Sequence, residues 1–256
     1  MNIINSIFYR SKYFLENVES KRILNYLVYK GKSKFDLDLI NSIATIKSTN
    51  TNFNVLIDIG AYQGKFSELF YAIMPVKRII CIEPNEKQNS IINQNNKNNP
   101  IQILNCALSE KEEELNYFEH EDASMNSIVP SSPEILRENF PFDNPDNISS
   151  KQIRTKTLDL AIAPAITEDS SLFLKIDTQG NEINILKGGL QVLKQTNGIL
   201  IEHIFTSPYE SDYSFDDMIS FLYENGFKCV GPVCISRRPN FKISAVDFLF
   251  LRTNPI

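Results

Sequence analysis

The sequence predicts an open, mostly parallel α/β sheet with helices on both faces and an antiparallel pair of strands at its C-terminal end. From residue 53 onward, apolar runs suited to buried strands alternate with helical patterns, and this alternation is typical of βαβ units. The last two strand-like runs, 227–234 and 245–252, are separated by too few residues for a crossover helix. We therefore expect them to pair antiparallel.

The first fifty residues are predicted to be helical. Apolar residues within 3–30 recur at spacings of three and four, which indicates one or two amphipathic helices, and 36–47 repeats the pattern. We predict that residues 1–50 form a helical extension that packs against a main domain of residues 51–256. Two alternatives stay open, namely a cap over the active site and the surface of a homodimer.

The main domain contains an ordered series of strands and helices, followed by an unusual segment. Residues 119–150 collect Ser, Asn and four Pro residues around a short helical patch at 134–138. A long segment with little regular structure inside a domain is usually functional or disordered, so we predict a lid or an acceptor-binding insertion. Further strands are expected at 53–59, 78–82, 101–106, 115–118, 152–158, 172–177 and 198–204, and helices near 64–73, 85–97, 180–194 and 215–225.

Composition excludes several classes of partner. The 256 residues carry a net charge of −5, which argues against binding nucleic acid through its phosphates. No apolar run reaches the ~18 residues of a membrane span. The apolar stretch within the first ten residues is too short for a signal peptide. Four scattered cysteines without a paired motif favour a reducing, cytoplasmic setting. Cys81 and Cys106 lie in strand-like runs, where buried thiols are expected.

A glycine bend after the first strand predicts a cofactor pocket. It places Asp58, Gly60, Ala61, Tyr62 and Gly64 at the carboxyl end of strand 53–59, which is the edge where open α/β sheets bind ligands. Glycine allows the backbone to approach a ligand closely, and the helix that follows offers free N–H groups to a cofactor carboxylate. We predict cofactor contacts from these five residues.

The spacing of this bend separates two cofactor classes. It reads Asp-x-Gly-x-x-x-Gly, whereas nicotinamide sites use Gly-x-Gly-x-x-Gly. Asp58 stands where that pattern has its first glycine, and a carboxylate there would repel a pyrophosphate. It suits the ammonium or sulfonium group of S-adenosylmethionine, so an NAD-type oxidoreductase is the less favoured alternative. A third interpretation is that Gly60 and Gly64 only form a tight turn.

Two further strand ends complete the predicted cofactor pocket. Glu83 and Pro84 follow strand 78–82, and a carboxylate at this place can accept hydrogen bonds from both ribose hydroxyls. Asn105, Cys106 and Ala107 end the third strand, where we expect contacts with the adenine.

Polar residues on two apolar strands predict an acceptor site. Lys175 and Asp177 lie two positions apart on strand 172–177, and Glu202 and His203 lie on strand 198–204. We expect all four to converge near the cofactor. His203 would act as a base for a hydroxyl acceptor, while Asp177 and Glu202 would orient that acceptor or hold Mg²⁺. The alternative is a structural salt bridge of Lys175 with Asp177 or Glu202, and His120 is expected at the surface.

Together these segments resemble the FkbM-type methyltransferases. The resemblance implies a class I methyltransferase (Rossmann-like) fold that binds S-adenosylmethionine and methylates a hydroxyl of a sugar, polysaccharide or secondary metabolite, so that the partner is a small-molecule or glycan acceptor. A cofactor-binding module without catalysis is the remaining alternative. The matching segments are 55–64, 82–85, 105–109, 174–183, 186–189 and 200–203. The implied cofactor residues are Asp58, Gly60, Gly64 and Glu83, and the implied Asp-x-x-Gly-x-Glu element is Asp177, Gly180 and Glu182.

Overall fold

The computed structural model describes residues 34–237 and 242–254 of the chain, and the helices expected within residues 3–30 lie outside the described residues. Among the described residues, no helix has both the length and the apolar character required to cross a membrane. The strands are β1 Val55–Ile59, β2 Arg78–Ile82, β3 Ile101–Leu104, β4 Ala107–Leu108, β5 Glu114–Glu119, β6 Ser149–Lys156, β7 Leu172–Ile176, β8 Thr196–Ile204, β9 Phe227–Arg237 and β10 Ile243–Arg252. The helices are α1 Lys34–Ser48, α2 Lys65–Ile73, α3 Glu86–Asn95, α4 Pro133–Asn139, α5 Leu158–Ile162, α6 Glu182–Lys187, α7 Leu190–Lys194 and α8 Phe215–Glu224.

The main sheet has seven strands in the order β3-β2-β1-β7-β8-β10-β9. The pairs β2–β3, β1–β2, β1–β7 and β7–β8 are parallel, whereas β10 is antiparallel to both β8 and β9. The chain passes from β8 through α8 to β9 and then returns as β10 between them. The predicted fold class is therefore confirmed, and the antiparallel strand occupies an inner position in the sheet.

The central strands are buried on both faces, which explains their continuous apolar sequences. Every residue of β1 is buried, and its side chains alternate between two hydrophobic clusters. Ile57 packs with Leu174 on one face, while Leu56 packs with Phe70 and Phe173 on the other. Full burial of side chains of this size stabilises the fold by about 1.5–3 kcal/mol each. The sheet is thus fixed rigidly at its centre, where the strands of the predicted pocket end.

Helix α1 confirms the predicted helical pattern at 36–47. Its residues Ile40, Ile43 and Ile46 are buried in the same cluster as Phe70. The expected packing against the main domain is therefore observed for this helix. Its Asp38 also reaches the cavity described below.

A small second sheet lies beside the main one, in the order β4-β6-β5. Strand β3 ends at Leu104, so the strand expected at 101–106 is shorter, and β4 pairs with β6 instead of extending it. Strand β6 ends at Lys156 because Thr157 caps helix α5 by accepting the N–H of Leu160. The expected strand at 152–158 therefore begins and ends earlier than predicted.

The helix expected at 180–194 is broken into α6 and α7 at Gly188 and Gly189. Both glycines are required by close packing. A Cβ atom on Gly188 would lie 2.5 Å from the backbone oxygen of Ser109, and one on Gly189 would lie 2.7 Å from Leu158. The break allows the chain to pass against β4 and α5, which the helical periodicity alone does not reveal.

The segment 119–150 connects β5 to β6 and is well packed. His120 and Asp143 are both buried, with His120 Nδ1 2.5 Å from Asp143 Oδ2. The second carboxylate oxygen of Asp143 accepts the N–H of Glu121 over 3.0 Å. The expectation that His120 lies at the surface is wrong, because the segment folds back on itself and joins its two ends through this pair.

We predict that Gly188→Ala lowers the free energy of unfolding by about 2–4 kcal/mol, because the added Cβ would overlap a backbone atom that cannot move independently. Urea unfolding measures the change. The neighbouring Leu190→Ala, at an exposed position, is the control and should cost less than about 1 kcal/mol. Equal losses in the two variants would contradict this account of the helix break.

Candidate active site

A cavity of about 910 Å³ opens at the carboxyl ends of β1, β2, β7 and β8. Its volume is in the usual range for a ligand site. Six carboxylates line it, against two lysines, and each acidic residue comes from a separate part of the chain. The residues expected at the site that line this cavity are Gly60, Ala61, Tyr62, Glu83, Pro84, Ala107, Asp177 and Glu202.

The glycine bend brings β1 close to β7. Gly60 has a φ of 72°, and a Cβ atom there would lie 1.8 Å from the backbone oxygen of Asp177. No other residue fits at this position. Tyr62 also adopts a left-handed φ, of 47°, and its backbone N–H donates to Glu83 Oε2 over 2.9 Å. The bend is thus held between β2 and β7.

Glu83 combines burial with an opening to the cavity. Only 7% of the residue is exposed, and Oε1 accepts the N–H of Asn85 over 2.9 Å. Burial raises the pKa of Glu83 to about 7, although the hydrogen bonds from Asn85 and Tyr62 oppose this shift. Each carboxylate oxygen has a second lone pair, so the group retains capacity for two hydroxyl donors. The recognition of a ribose by Glu83 stays a prediction.

Asp58 lies beneath the cavity and does not form its wall. It is fully buried, and its Oδ2 accepts a hydrogen bond from Ser67 Oγ over 2.7 Å. Burial raises its pKa, with Lys175 and Ser67 opposing the shift. The expectation that this carboxylate directly faces a cofactor cation is therefore corrected. Asp58 reaches the site through Lys175, whose Nζ is 3.7 Å from Asp58 Oδ1.

The ammonium group of Lys175 contacts both sides of the cavity, namely the glycine bend on the cofactor side and Asp177 on the opposite side. Its Nζ lies 3.1 Å from Asp177 Oδ2 and donates to the backbone oxygen of Gly60 over 3.3 Å. Burial alone would lower its pKa, but the attraction of Asp177 and Asp58 outweighs burial and raises it. The structural salt bridge considered for Lys175 is present, and its partner is Asp177.

A hydrogen-bonded carboxylate network forms the opposite side of the cavity. Gln179 donates from Nε2 to Asp177 Oδ1 over 2.7 Å and to Glu202 Oε2 over 3.3 Å. Burial and the negative charges of Asp177 and Asp247 raise the pKa of Glu202 well above its usual value. Sequence reasoning missed Gln179 and Asp247. A lone Asp in the otherwise apolar strand β10 was a signal for Asp247.

Glu182 shapes the loop that presents Asp177 and Gln179. Its Oε1 accepts the N–H groups of Thr178 and Gly180 over 2.9 and 3.1 Å, and its Oε2 accepts the hydroxyl of Tyr213. The residue is 3% exposed. Glu182 thus has a structural role in the Asp-x-x-Gly-x-Glu element, because its carboxylate fixes the turn that follows β7.

His203 lies on the opposite face of the sheet from Glu202. Neighbouring residues of a strand point to opposite faces, and the imidazole packs 4.8 Å from the ring of Phe205 and 4.9 Å from that of Phe215. Burial lowers its pKa. The expected convergence of four polar groups is therefore corrected to three, namely Lys175, Asp177 and Glu202.

Three of the expected cofactor residues, Gly64, Asn105 and Cys106, do not line the cavity. Gly64 has a φ of 69° and begins helix α2, and its backbone oxygen accepts from Asn96 Nδ2 over 3.2 Å. Asn105 Nδ2 lies 3.4 Å from Glu86 Oε1. Cys106 belongs to the hydrophobic core, which bears out the expected buried thiol. Of the expected residues Asn105, Cys106 and Ala107, only Ala107 lines the cavity.

The Mg²⁺ suggested for Asp177 and Glu202 stays a prediction. The amide of Gln179 lies between the two carboxylates. Within residues 34–237 and 242–254, no group of three or more His, Cys, Asp or Glu side chains is arranged to hold a metal ion.

The strand order, the glycine bend and the buried carboxylate after β2 are those of the class I methyltransferase fold. A comparison of the sequence with family models identifies the family to which the protein belongs. The model of the Methyltransferase FkbM domain matches residues 58–229, which is more than half of the chain, so the protein belongs to the FkbM methyltransferase family. No curated protein shows a significant match to the chain.

Solved structures that resemble the chain share little sequence with it, and at these identities the likeness concerns the fold alone. A 1,6-didemethyltoxoflavin-N1-methyltransferase from Burkholderia thailandensis is 9% identical, with a TM-score of 0.47, over 93% of this chain and 88% of that chain. An S-adenosylmethionine-dependent methyltransferase from Leishmania major is 12% identical, with a TM-score of 0.47, over 84% and 72%. A precorrin-6y C5,15-methyltransferase from Geobacter metallireducens is 13% identical, with a TM-score of 0.42, over 87% and 89%.

We predict that S-adenosylmethionine binds more tightly as the pH rises through 7. Glu83, whose pKa is about 7, must be ionised to accept both ribose hydroxyls, so the affinity should rise up to about tenfold between about pH 6 and about pH 8. Calorimetry measures the dissociation constant at each pH.

The Glu83→Gln variant should bind at least about tenfold more weakly at about pH 8 and lose this pH dependence. Glu112→Gln, at an exposed position, is the control and reports any titration of the cofactor itself. An unchanged pH dependence in Glu83→Gln would contradict the assignment of Glu83.

Proposed function

We propose that the protein transfers a methyl group from S-adenosylmethionine to a hydroxyl of a sugar, a polysaccharide or a hydroxyl-rich secondary metabolite. The observation that carries this proposal is the network Asp177–Gln179–Glu202, which lines the cavity next to the glycine bend. A hydroxyl acceptor must lose its proton during methylation. A half-buried carboxylate with a raised pKa, such as Glu202, is well suited to remove it.

The residues of the cavity fit the cofactor. Glu83 would hold the ribose, and Ala107 with Pro84 would contact the adenine. The N-terminus of α2, where Lys65 and Phe66 line the cavity, would attract the cofactor carboxylate. The excess of carboxylates over lysines favours its ammonium and sulfonium groups. When bound, S-adenosylmethionine supplies a methyl group that leaves sulfur as the acceptor oxygen forms its new bond to carbon.

Glu202 is the proposed base. Its carboxylate is fixed by the amide of Gln179, and the same amide positions Asp177. Asp177 would accept a hydrogen bond from the acceptor and orient it, since orientation of the two reactants contributes strongly to a displacement reaction. Lys175 holds Asp177 in place through their ion pair. The acceptor oxygen would thus meet a fixed orienting group and a fixed base.

The side chains that the insertion 119–150 contributes to the cavity support the proposal that the acceptor carries a sugar. Phe142 lines the cavity although 62% of it is exposed, and its ring lies 6.0 Å from that of Phe140. Exposed aromatic rings beside hydroxyl groups suit the apolar face of a sugar. Ser124 and Ser127 of the same insertion also line the cavity. The insertion is fixed to the site because Ser127 Oγ donates to the backbone oxygen of Gln179 over 2.8 Å.

We expect Glu202→Gln to reduce kcat for methyl transfer about 100-fold, because the amide cannot accept the proton. The dissociation constant for S-adenosylmethionine should change less than about twofold, because Glu83 and the bend are unaffected. Transfer of a labelled methyl group to a panel of sugars, glycosides and hydroxylated metabolites provides the assay, with Glu112→Gln as the control. Tight cofactor binding by the wild type without methyl transfer to any hydroxyl would refute the proposed function.

Phe142→Ala should raise KM for the acceptor about threefold to tenfold with little change in kcat, since stacking on an exposed ring contributes about 0.5–1.5 kcal/mol to binding. Steady-state kinetics with the best acceptor of the panel measure both constants. Phe205→Ala removes another exposed ring, 49% exposed and outside the cavity, and serves as the control. An unchanged KM in Phe142→Ala would remove the insertion from acceptor binding.

A further inference from the structure

A buried pair of side chains that the proposed reaction does not use lies between the two ends of the insertion 119–150. His120 Nδ1 is 2.5 Å from Asp143 Oδ2, and neither side chain has any exposed surface. Both residues stand outside the lining of the cavity. Polar groups are costly to bury unless they are paired. Asp143 and His120 therefore depend on each other for their place in the interior.

The carboxylate of Asp143 attaches the start of the insertion to its end. Oδ1 accepts the backbone N–H of Glu121 over 3.0 Å and that of Asp122 over 3.4 Å, while Oδ2 binds the imidazole of His120. Three consecutive residues at the start of the insertion are thus held by one carboxylate near its end. The side chain of Glu121 adds two contacts between the same two ends, but these are exposed to water and so contribute less.

The residues just before Asp143 carry the aromatic side of the cavity. Phe140 and Phe142 both line it, and the N–H of Asp143 donates to the carbonyl of Phe140 over 3.0 Å. Phe142 directly precedes Asp143 in the chain. Because 62% of Phe142 is exposed, the contacts of its own ring restrain it little. Its position therefore depends on the backbone that the buried carboxylate holds.

The imidazole of His120 connects this junction to the wall of the cavity. Its ring packs at 68° to the ring of Tyr209, with 6.4 Å between the two centroids. Tyr209 lines the cavity, and its hydroxyl donates to the carbonyl of Met125 over 2.9 Å. Among the residues that the structure describes, His120 Nε2 has no hydrogen-bond partner, so the orientation of the ring depends on the bond to Asp143. One carboxylate thus fixes both the turn that carries Phe142 and the ring that packs on Tyr209.

The start of the insertion is itself attached to the acceptor side of the cavity. Ser127 Oγ donates to the carbonyl of Gln179 over 2.8 Å, and the backbone of Ser127 pairs with strand β5. The side-chain amide of Gln179 contacts both carboxylates of the acceptor side. The junction at Asp143 therefore determines where Phe142 lies relative to these carboxylates.

We propose that Asp143 and His120 are positioning residues for the acceptor, because their buried junction holds Phe142 in place before the acceptor arrives. The insertion 119–150 is then a preformed wall of the cavity and not a lid that closes after the cofactor has bound. This inference rests on the proposed function and deepens it, since it assigns part of the acceptor specificity to residues outside the cavity. A ring that is already fixed loses less conformational freedom when the acceptor binds.

Steady-state kinetics of methyl transfer test the junction. Asp143→Ala should raise KM for the acceptor about threefold to tenfold, as Phe142→Ala does, while kcat changes less than about twofold. The double variant should keep the KM of Phe142→Ala, because two residues that act through one contact are not additive. A protein that had merely lost stability would show less active enzyme and an unchanged KM. An unchanged KM in Asp143→Ala, or additive effects in the double variant, would overturn the proposal.

Two further variants complete the kinetic test. Asp146→Ala removes an exposed carboxylate of the same insertion, which pairs with Arg137 over 2.7 Å, and it should leave KM unchanged. Loss of one partner of a buried pair is strongly destabilising. Asp143→Asn is therefore the milder variant, because its amide oxygen can still accept the N–H of Glu121. It should raise KM less than Asp143→Ala, and an equal or larger rise would contradict the proposed geometry.

A second readout does not depend on activity. The chain contains no tryptophan, so Phe142→Trp introduces a single fluorescent reporter. Its time-resolved anisotropy should show a ring that is held without cofactor and is unchanged after saturation with S-adenosylhomocysteine. Adding His120→Ala should lower the residual anisotropy by about half, because unrestrained side chains reorient within nanoseconds. A ring that becomes fixed only when S-adenosylhomocysteine binds, or one that stays equally fixed in His120→Ala, would overturn the proposal.

The two readouts separate this proposal from the proposed function. Absence of methyl transfer to any hydroxyl, together with an anisotropy that falls in His120→Ala, would refute the proposed function while the junction still fixed Phe142. Methyl transfer to a hydroxyl, with KM and anisotropy both unaffected by the variants, would overturn the junction and leave the proposed function supported.

Discussion

The structure of the site depends on one cation, Lys175, whose side chain is only 13% exposed. Lys175 lies between Asp58 and Asp177, and it also contacts the carbonyl of Gly60. These contacts join β1 to β7 at the carboxyl edge of the sheet. Removing one member of a buried ion pair costs about 3–5 kcal/mol, because the remaining charge is left without a partner. The lysine therefore fixes the distance between the glycine bend and Asp177, and with it the two sides of the cavity.

Much of the fold and of the cofactor side could be predicted from the sequence. Continuous apolar strands separated by helical patterns specify a parallel sheet, since only strands covered on both faces have this composition. The backbone conformation of Gly60 and the carboxylate of Glu83 follow from local sequence and from the edge of the sheet where they lie. Both signals are short-range, so neither requires knowledge of tertiary contacts.

The acceptor side depends on contacts between distant parts of the chain. Sequence reasoning was therefore right for Asp177 and Glu202, which line the cavity, and wrong for His203. His203 and Glu202 are adjacent in sequence, yet the alternation of the strand separates them onto opposite faces. Asp247 reaches Glu202 only because β10 inserts beside β8, a pairing that the sequence pattern left undefined. The cofactor side has one such case as well, because tertiary contacts with Ser67 and Lys175 bury Asp58 and remove it from the cavity wall.

A crystal structure of the protein with S-adenosylhomocysteine tests the central claim most directly. The account predicts that both ribose hydroxyls donate to the carboxylate of Glu83 and that the sulfur lies on the side of the cavity formed by Asp177 and Glu202. Lys175 should keep its contacts with Asp58 and Asp177. A cofactor bound away from Glu83, or a Lys175 displaced from both aspartates in the complex, would contradict it.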